Sequence, residues 1–328
     1  MSASRVLVTG GWGFIGSHLV EQLLARGDEV AVLDMAPPPE HLTFAKDCKS
    51  VVLDIRDPSM VAAAVTSDID VVFHLAAVVG VDRYLARPLD VIDINFTGTR
   101  NVLEAAVRAG AKVVVASTSE VFGKNPDVPW REDGDRVLGP TSADRWTYSS
   151  AKALAEHLTL GFVHQHGADA TIVRYFNVYG PRQRPAYAIS RSVHRALNGL
   201  PMVVYDHGNQ TRSFTFVDDA VAGTLLAARS PDAVGEIFNL GNMVETTVAD
   251  VIELVARLTG SSLTREVDTR ERLGASYEDL MRRVPDSAKA RTLLGWVCET
   301  ELEKGLVKTI EWARANPWWL ALADSGAE

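Results

Sequence analysis

The chain has 328 residues, 47% of them hydrophobic and 23% charged, which suits one large α/β unit or two domains sharing a cleft. Acidic residues outnumber basic ones 42 to 33, a formal net charge of -9, so no basic face is concentrated enough for nucleic acid to be the main ligand. Cys48 and Cys298 lie far apart with no metal-ligand spacing, and neither a secretory signal nor a membrane-length apolar run is present; the expectation is a cytoplasmic protein with no metal site and no membrane partner.

The first half alternates short apolar runs with helical patterns. Strands are expected at Arg5–Thr9, Glu29–Leu33, Ser50–Leu53, Val71–Leu75, Lys112–Ser117 and Thr171–Tyr175. Helices are expected between them at Gly16–Arg26, Met60–Thr66, Asn95–Ala109 and Ser149–His166. Continuous Val/Ile/Leu strands alternating with helices read as a doubly wound parallel sheet of the Rossmann type, with ligands at the C-terminal strand ends. After about residue 180 the rhythm changes. Pro181–Pro185 reads as a loop, Met202–Tyr205, Ser213–Val217 and Glu236–Leu240 as strands, and Val248–Thr259 and Leu302–Ala315 as helices. The division is therefore residues 1–180 as the dinucleotide domain, joined by a returning strand near 236–240, and 181–328 as a smaller substrate-binding lobe. The tail from Ala323 is expected to fray.

Gly10, Gly13 and Gly16 follow the first strand directly and open a helix. A Cβ at such positions would block the tight turn, the approach to a pyrophosphate and close helix–strand packing, so this is a dinucleotide site. The helix N-terminus, with its free N–H groups and positive dipole end, takes the pyrophosphate. Asp34 closes the second strand, where a carboxylate accepts ribose hydroxyls and repels a 2′-phosphate; no arginine follows closely, which favours NAD. Asp54, ending the third strand, reads either as a partner for the adenine edge or as a turn-starting aspartate.

Tyr148 and Lys152 stand four residues apart, on one face of a helix. The lysine charge is expected to lower the phenol's pKa, so that the tyrosinate takes a proton from a sugar hydroxyl as hydride leaves. Ser117, Thr118, Ser119 and Glu120 end the fifth strand on the same ligand edge, with Thr118 or Ser119 able to bond the same sugar oxygen.

Together with HLAA at 74–77, Asn95 in INFTGT, RYFNVYGPRQRP at 174–185, QTRSFTFVDD at 210–219 and NLGN at 239–242, these segments resemble an extended short-chain dehydrogenase/reductase of the NAD-dependent nucleotide-sugar epimerase/dehydratase family. Trp12 departs from the small residue common there and is expected to narrow the loop without changing the chemistry. The resemblance implies NAD contacts from Phe14, Ile15, Ile55, Leu75, Ala76, Ala77, Asn95, Ser117 and Tyr175. It implies oxidation of a nucleotide-sugar at C4 with no net redox. Asn177 would bond the sugar or its phosphate, Arg212 and Arg283 would pair with the diphosphate, and Arg184 would reach the C6 end of the sugar. It also implies a homodimer, packed through Asn95–Ala109 and Ser149–His166.

Glu120 bears on the outcome. Family members that dehydrate or decarboxylate keep a glutamate there, and simple 4-epimerases usually do not; Asp144-Arg145-Trp146 resembles decarboxylases acting on UDP-glucuronate, whereas the PRQRP loop is closer to 4-epimerases and to a few unusual dehydratases. A lyase is the leading expectation, a 4-epimerase the alternative and a reductase the remainder, with UDP the first guess for the nucleotide and dTDP the second. A non-catalytic NAD(H) sensor on this fold would have lost Tyr148 or Lys152, and both are present.

Overall fold

The computed structural model describes residues 3–80, 86–269 and 280–324. Its centre is a seven-stranded sheet built from β1 (Arg5–Thr9), β2 (Glu29–Asp34), β3 (Lys49–Val52), β4 (Val71–His74), β5 (Lys112–Thr118), β6 (Ala170–Tyr175) and β7 (Ile237–Leu240). The strands are all parallel, in the order β7-β6-β5-β4-β1-β2-β3. Strand order reverses between β1 and β4, and in such sheets a ligand crevice opens outside the strands' C-terminal ends at that point.

The period-2 alternation of each strand sorts its side chains onto two cores. Val6 and Val8 of β1 join Leu19, Val20 and Leu23 of helix Phe14–Ala25 and Val217, Val221 and Leu225 of helix Val217–Arg229. Leu7, between them in sequence, faces the opposite side with Val61, Val102, Leu103 and Phe162, from helices Pro58–Ala64, Thr99–Ala109 and Thr147–His166. Burying each such side chain is worth about 1.5–3 kcal/mol, so a one-residue slip in register would forfeit both faces at once.

Three elements differ from the sequence expectation. The helix expected over Asn95–Ala109 is preceded by helix Pro88–Asp93 and passes through a π-helical turn at Ile94–Gly98 before running regularly over Thr99–Ala109. The Asn95 amide donates to the Val91 carbonyl (2.7 Å) and the Thr99 hydroxyl to the Asn95 carbonyl (2.6 Å); such side-chain bonds compete with the regular ladder. The strand expected at Ser213–Val217 is two short pieces, Thr211–Arg212 and Thr215–Phe216, and Val217 already starts a helix with Asp218 and Asp219 in its first turn. The helix expected at Met60–Thr66 starts earlier, at Pro58, because the Asp57 carboxylate caps the amides of Ser59 and Met60 at 2.9 and 3.1 Å.

Beyond residue 180, helices Ala188–Leu197, Val248–Thr259 and Leu302–Ala315 pack with the strand pair Met202–Tyr205 and Thr264–Val267. Strand Thr211–Arg212 pairs antiparallel with Thr246–Thr247. The fraying expected from Ala323 does not extend to Asp324, whose carboxylate is held by Arg195 and lies 3.7 Å from Arg191. Among the described residues no helix is long and apolar enough to cross a membrane.

Candidate active site

The glycine turn sits at the C-terminal end of β1. Gly10 has φ +68°, and a Cβ on it would come within 2.8 Å of the Ala76 backbone; one on Gly16 would lie 2.2 Å from the Gly10 carbonyl oxygen. Helix Phe14–Ala25 then starts at Gly13 with no side chain capping it, so Phe14, Ile15 and Gly16 present amides that have no acceptor within the helix. The cradle fits a dinucleotide pyrophosphate.

Around it the other strand ends converge. Asp34 accepts the Trp12 amide at 3.1 Å. Trp12 turns its indole into the core, with Nε1 3.4 Å from the Ser50 hydroxyl, instead of narrowing the turn. The Leu75 amide donates to the Thr9 carbonyl (3.1 Å) and the Ala76 amide to the Thr9 hydroxyl (3.2 Å), with Ala77 next along the chain. Asp54 is taken up by the Arg56 side chain at 2.6 and 2.9 Å and by the Arg56 amide, as a turn-starting aspartate would be; Ile55 beside it is buried. Asn95 is fully buried, and its Oδ1 has no hydrogen-bond partner among the described residues.

Tyr148 and Lys152 lie on the buried stripe of helix Thr147–His166. The Lys152 ammonium donates to the Ala116 carbonyl at 2.8 Å, and Tyr148 hydrogen-bonds Thr118, whose oxygen also accepts the Glu120 amide at 3.2 Å. Ser119 is buried beside them. The phenol's pKa is not lowered as expected from sequence. Burial, the charge of Glu120 and the phenol of Tyr187 push Tyr148 above its ordinary value, against the opposing Thr118 bond. Burial lowers Lys152 to about 8, with Glu156 acting in the other direction. His74, on β4, is bonded to Thr9 (2.7 Å) and Thr99 (3.0 Å), and burial together with the Lys152 charge lowers it to about 3. It stays neutral, with both ring nitrogens bonded.

Glu120 is the second centre. Its carboxylate is gripped by Arg145 (2.6 Å) and Arg283 (2.7 Å), both buried. Burial raises its pKa, but the two guanidinium charges and their hydrogen bonds outweigh that and hold it well below the usual carboxylate range. Arg283, expected on the diphosphate, thus meets Glu120. Arg212 is buried and donates to the carbonyls of Thr211 (2.8 Å) and Leu280 (2.7 Å). The Asn177 amide donates to the Ser213 carbonyl at 3.1 Å, from a backbone at φ +38°. Arg184 stacks over Tyr187 at 5.4 Å and reaches the Val79 carbonyl at 3.4 Å. Two residues expected at the cofactor are turned elsewhere. Ser117 bonds Glu156, and the Tyr175 hydroxyl bonds Thr224 at 2.7 Å, with burial pushing it up to about 12.

Residues 6–241 match the model of the NAD dependent epimerase/dehydratase family. The chain belongs to that family. It is 40% identical to a UDP-N-acetyl-alpha-D-glucosaminuronate decarboxylase of Bacillus cytotoxicus, over 94% of this chain and 98% of that one. It is 34% identical to UDP-glucuronic acid decarboxylase 1 of Xenopus tropicalis, over 94% of this chain and 72% of that one. Among solved structures it is similar to MoeE5 in complex with UDP-glucuronic acid and NAD, with a TM-score of 0.83 and 33% identity, covering 95% of this chain and all of that one. As a member of the epimerase/dehydratase family this chain is an NAD-dependent enzyme of nucleotide-sugar chemistry.

Arg145, Tyr187, His74 and Glu156 were not among the site residues expected from sequence. Arg145 lies in the noted Asp144-Arg145-Trp146 segment, and Glu156 continues the spacing of Tyr148 and Lys152 by four. Tyr187 carries no local signal, since a loop brings it to Tyr148.

Proposed function

We propose that this enzyme decarboxylates a UDP-hexuronate, with the 2-acetamido sugar UDP-N-acetylglucosaminuronate preferred to UDP-glucuronate. The observation that carries the reading is the Arg145–Glu120–Arg283 bridge beside Tyr148. A 4-epimerase moves only a hydride and one proton at C4 and has no need of a buried, permanently ionised carboxylate there. A uronate brings a carboxylate of its own, for which guanidinium forks are matched partners. The Nε of Arg283 is buried and has no acceptor among the described residues.

The glycine cradle at Gly10, Gly13 and Gly16 would hold NAD, which would supply a reversible hydride acceptor for C4. Tyr148 takes the hydroxyl proton at O4, and Thr118 holds the same oxygen. A phenol with a raised pKa gives a stronger base but a scarcer one, and the Lys152 ammonium on the same stripe supplies the offsetting charge. Once C4 is a ketone, the C5 carboxylate is that of a β-keto acid: the C5–C6 bond breaks, carbon dioxide leaves and the electron pair passes into the C4 oxygen. A proton from water takes the place of the lost carboxyl group on C5, and Tyr148 gives its proton back to O4 as the ketone is reduced, so one proton is consumed for each carbon dioxide released. Glu120 holds no proton of its own in this arrangement, so it serves as acceptor and orienter and delivers no proton.

The 40% identity to a UDP-N-acetyl-alpha-D-glucosaminuronate decarboxylase supports the acetamido substrate. We further propose a homodimer; the exposed Leu154 on helix Thr147–His166, with Leu89 and Ile92 nearby in sequence to the π turn, supports an apolar face there. Two free thiols, Cys48 and Cys298, accord with a reducing, cytoplasmic setting. The test is mass and NMR analysis of products from UDP-N-acetylglucosaminuronate, UDP-glucuronate, UDP-glucose and dTDP-glucose. Release of carbon dioxide from the first two is expected; isomerised UDP-glucose, or water loss from a neutral sugar without decarboxylation, would overturn the proposal. Light scattering that gives a monomer would overturn the dimer.

A further inference from the structure

Below the catalytic pair lies a buried charge cluster that the chemistry above does not use. Glu156 follows Lys152 by one helical turn and is buried. Its Oε1 accepts from Ser117 and from Arg174 Nε at 2.9 Å, and its Oε2 accepts from Arg174 Nη2 at 2.7 Å. Arg174 is buried as well, donates to the Glu132 carbonyl at 2.9 Å and lies over the Phe122 ring at 4.8 Å. The cluster ties together the three elements that carry the site. Ser117 on β5 sits between Ala116, whose carbonyl takes the Lys152 ammonium, and Thr118, which bonds Tyr148. Arg174 on β6 directly precedes Tyr175, and Glu156 shares the helix of Tyr148 and Lys152.

Such a group could be mere packing. A buried ion pair is often no better for stability than apolar residues of the same volume, so a stability role alone gives little reason for it. A carboxylate one turn from a buried ammonium has a second effect, because an opposite charge within about 4–6 Å favours the charged form. Among the described residues, Arg136 and Lys152 face Glu156 along with Arg174, the Glu132 carboxylate faces Arg174, and neutral His74 faces Lys152 from β4.

We propose that Glu156, pinned by Arg174 and Ser117, is a positioning residue that keeps the buried Lys152 ammonium charged and seated on the Ala116 carbonyl. This rests on Tyr148 and Lys152 being the hydride-transfer pair, but its test requires neither substrate nor turnover. In protein labelled with ¹³C at the lysine Cε, the Lys152 resonance is assigned by its loss in Lys152→Met and followed against pH. Its midpoint is expected at about 8 in the unaltered protein and lower by about one unit or more in Glu156→Gln. In Arg174→Gln it is expected unchanged or higher, since the carboxylate remains. The double variant Glu156→Gln/Arg174→Gln removes the strain of an orphaned buried charge. It is expected to melt above Glu156→Gln while keeping the lowered midpoint, and it gives the answer should the single variant fail to fold.

Where the enzyme turns over, the alkaline limb of its pH–rate profile moves down with the resonance. An unshifted Lys152 midpoint in both Glu156 variants, or an equal fall in Arg174→Gln, would overturn the proposal. Failure of every UDP-uronate as substrate would sink the decarboxylase reading and leave the lysine titration to decide this one.

Discussion

At the scale of single residues the site is a contest between burial and charge. Tyr148 is pushed up and Glu120 down although both are buried, because only Glu120 has two guanidiniums on it. Tyr148→Phe removes the proton acceptor without changing the shape of the pocket. Turnover is expected to fall about 10²–10⁴-fold, the usual worth of a positioned base, while the NAD content of the purified protein, read by absorbance after denaturation, stays the same. Glu120→Gln is expected to separate the half-reactions: oxidation at C4, seen as a transient NADH absorbance, survives, and carbon dioxide release drops about 100-fold. Lys152 gives a pH signature in which activity and stability run in opposite directions. Its folded value of about 8 lies below its ordinary 10.5, so between these the unfolded chain binds more protons and stability from this group rises with pH. Over the same interval the ammonium is lost, and turnover is expected to fall as pH passes about 8. Much of this was open to sequence reading, because Tyr148, Lys152 and Thr118 are close in the chain or end a recognisable strand. The direction of the Tyr148 shift was not, since it depends on how deeply the phenol is buried and on Glu120, brought beside it by β5.

At the scale of elements, what was legible follows from how much of the signal is local. β1 to β6 are continuous apolar runs between turn residues, and the structure places each within a residue or two of expectation. The piece Ser213–Val217 misled because Phe214, Phe216 and Val217 all enter one core, which imitates a strand; the acidic Asp218 and Asp219 favour a helix N-terminus instead. The π turn at Ile94–Gly98 carries no sequence periodicity, because it arises from side-chain bonds of Asn95 and Thr99. The tightest element is the glycine turn. At Gly16 an added Cβ meets the backbone of Gly10 and Gly11 in the same turn, at 2.2 and 2.8 Å, and backbone cannot swing aside as a side-chain end can. Gly16→Ala is therefore expected to open the turn. The purified protein should lose its NAD, and its melting temperature should drop and recover only partly on adding NAD; a variant that retains stoichiometric NAD would show that the turn tolerates the methyl group.

At the scale of the whole molecule, the C-terminal segment joins what the chain order separates. The Trp319 indole donates to the Gln183 carbonyl at 2.8 Å, in the loop leading to Arg184 and Tyr187, and its ring meets His194 edge-on at 5.3 Å. Trp318 stacks on His41 at 3.6 Å, in the connection between β2 and β3. Asp324 lies between Arg191 and Arg195 on the helix that follows the loop. One short stretch thus fixes both the loop that brings Tyr187 to Tyr148 and a surface next to the cofactor-binding edge. Its aromatic residues are evident in the sequence, and their contacts with Trp312 and Asn316 are local, but nothing local reveals what they cover, because Gln183, His194 and His41 all lie more than a hundred residues away. Trp319→Phe keeps most of the buried area and removes the bond to Gln183, which leaves a buried carbonyl unsatisfied at a cost of about 1–3 kcal/mol. The expected result is a melting temperature lower by a few degrees and, because the loop and not the chemistry is loosened, a KM for the nucleotide-sugar that rises several-fold more than kcat falls. An equal loss in kcat with KM unchanged would mean instead that the segment acts on the reacting groups themselves, through Tyr187 and its contact with Tyr148.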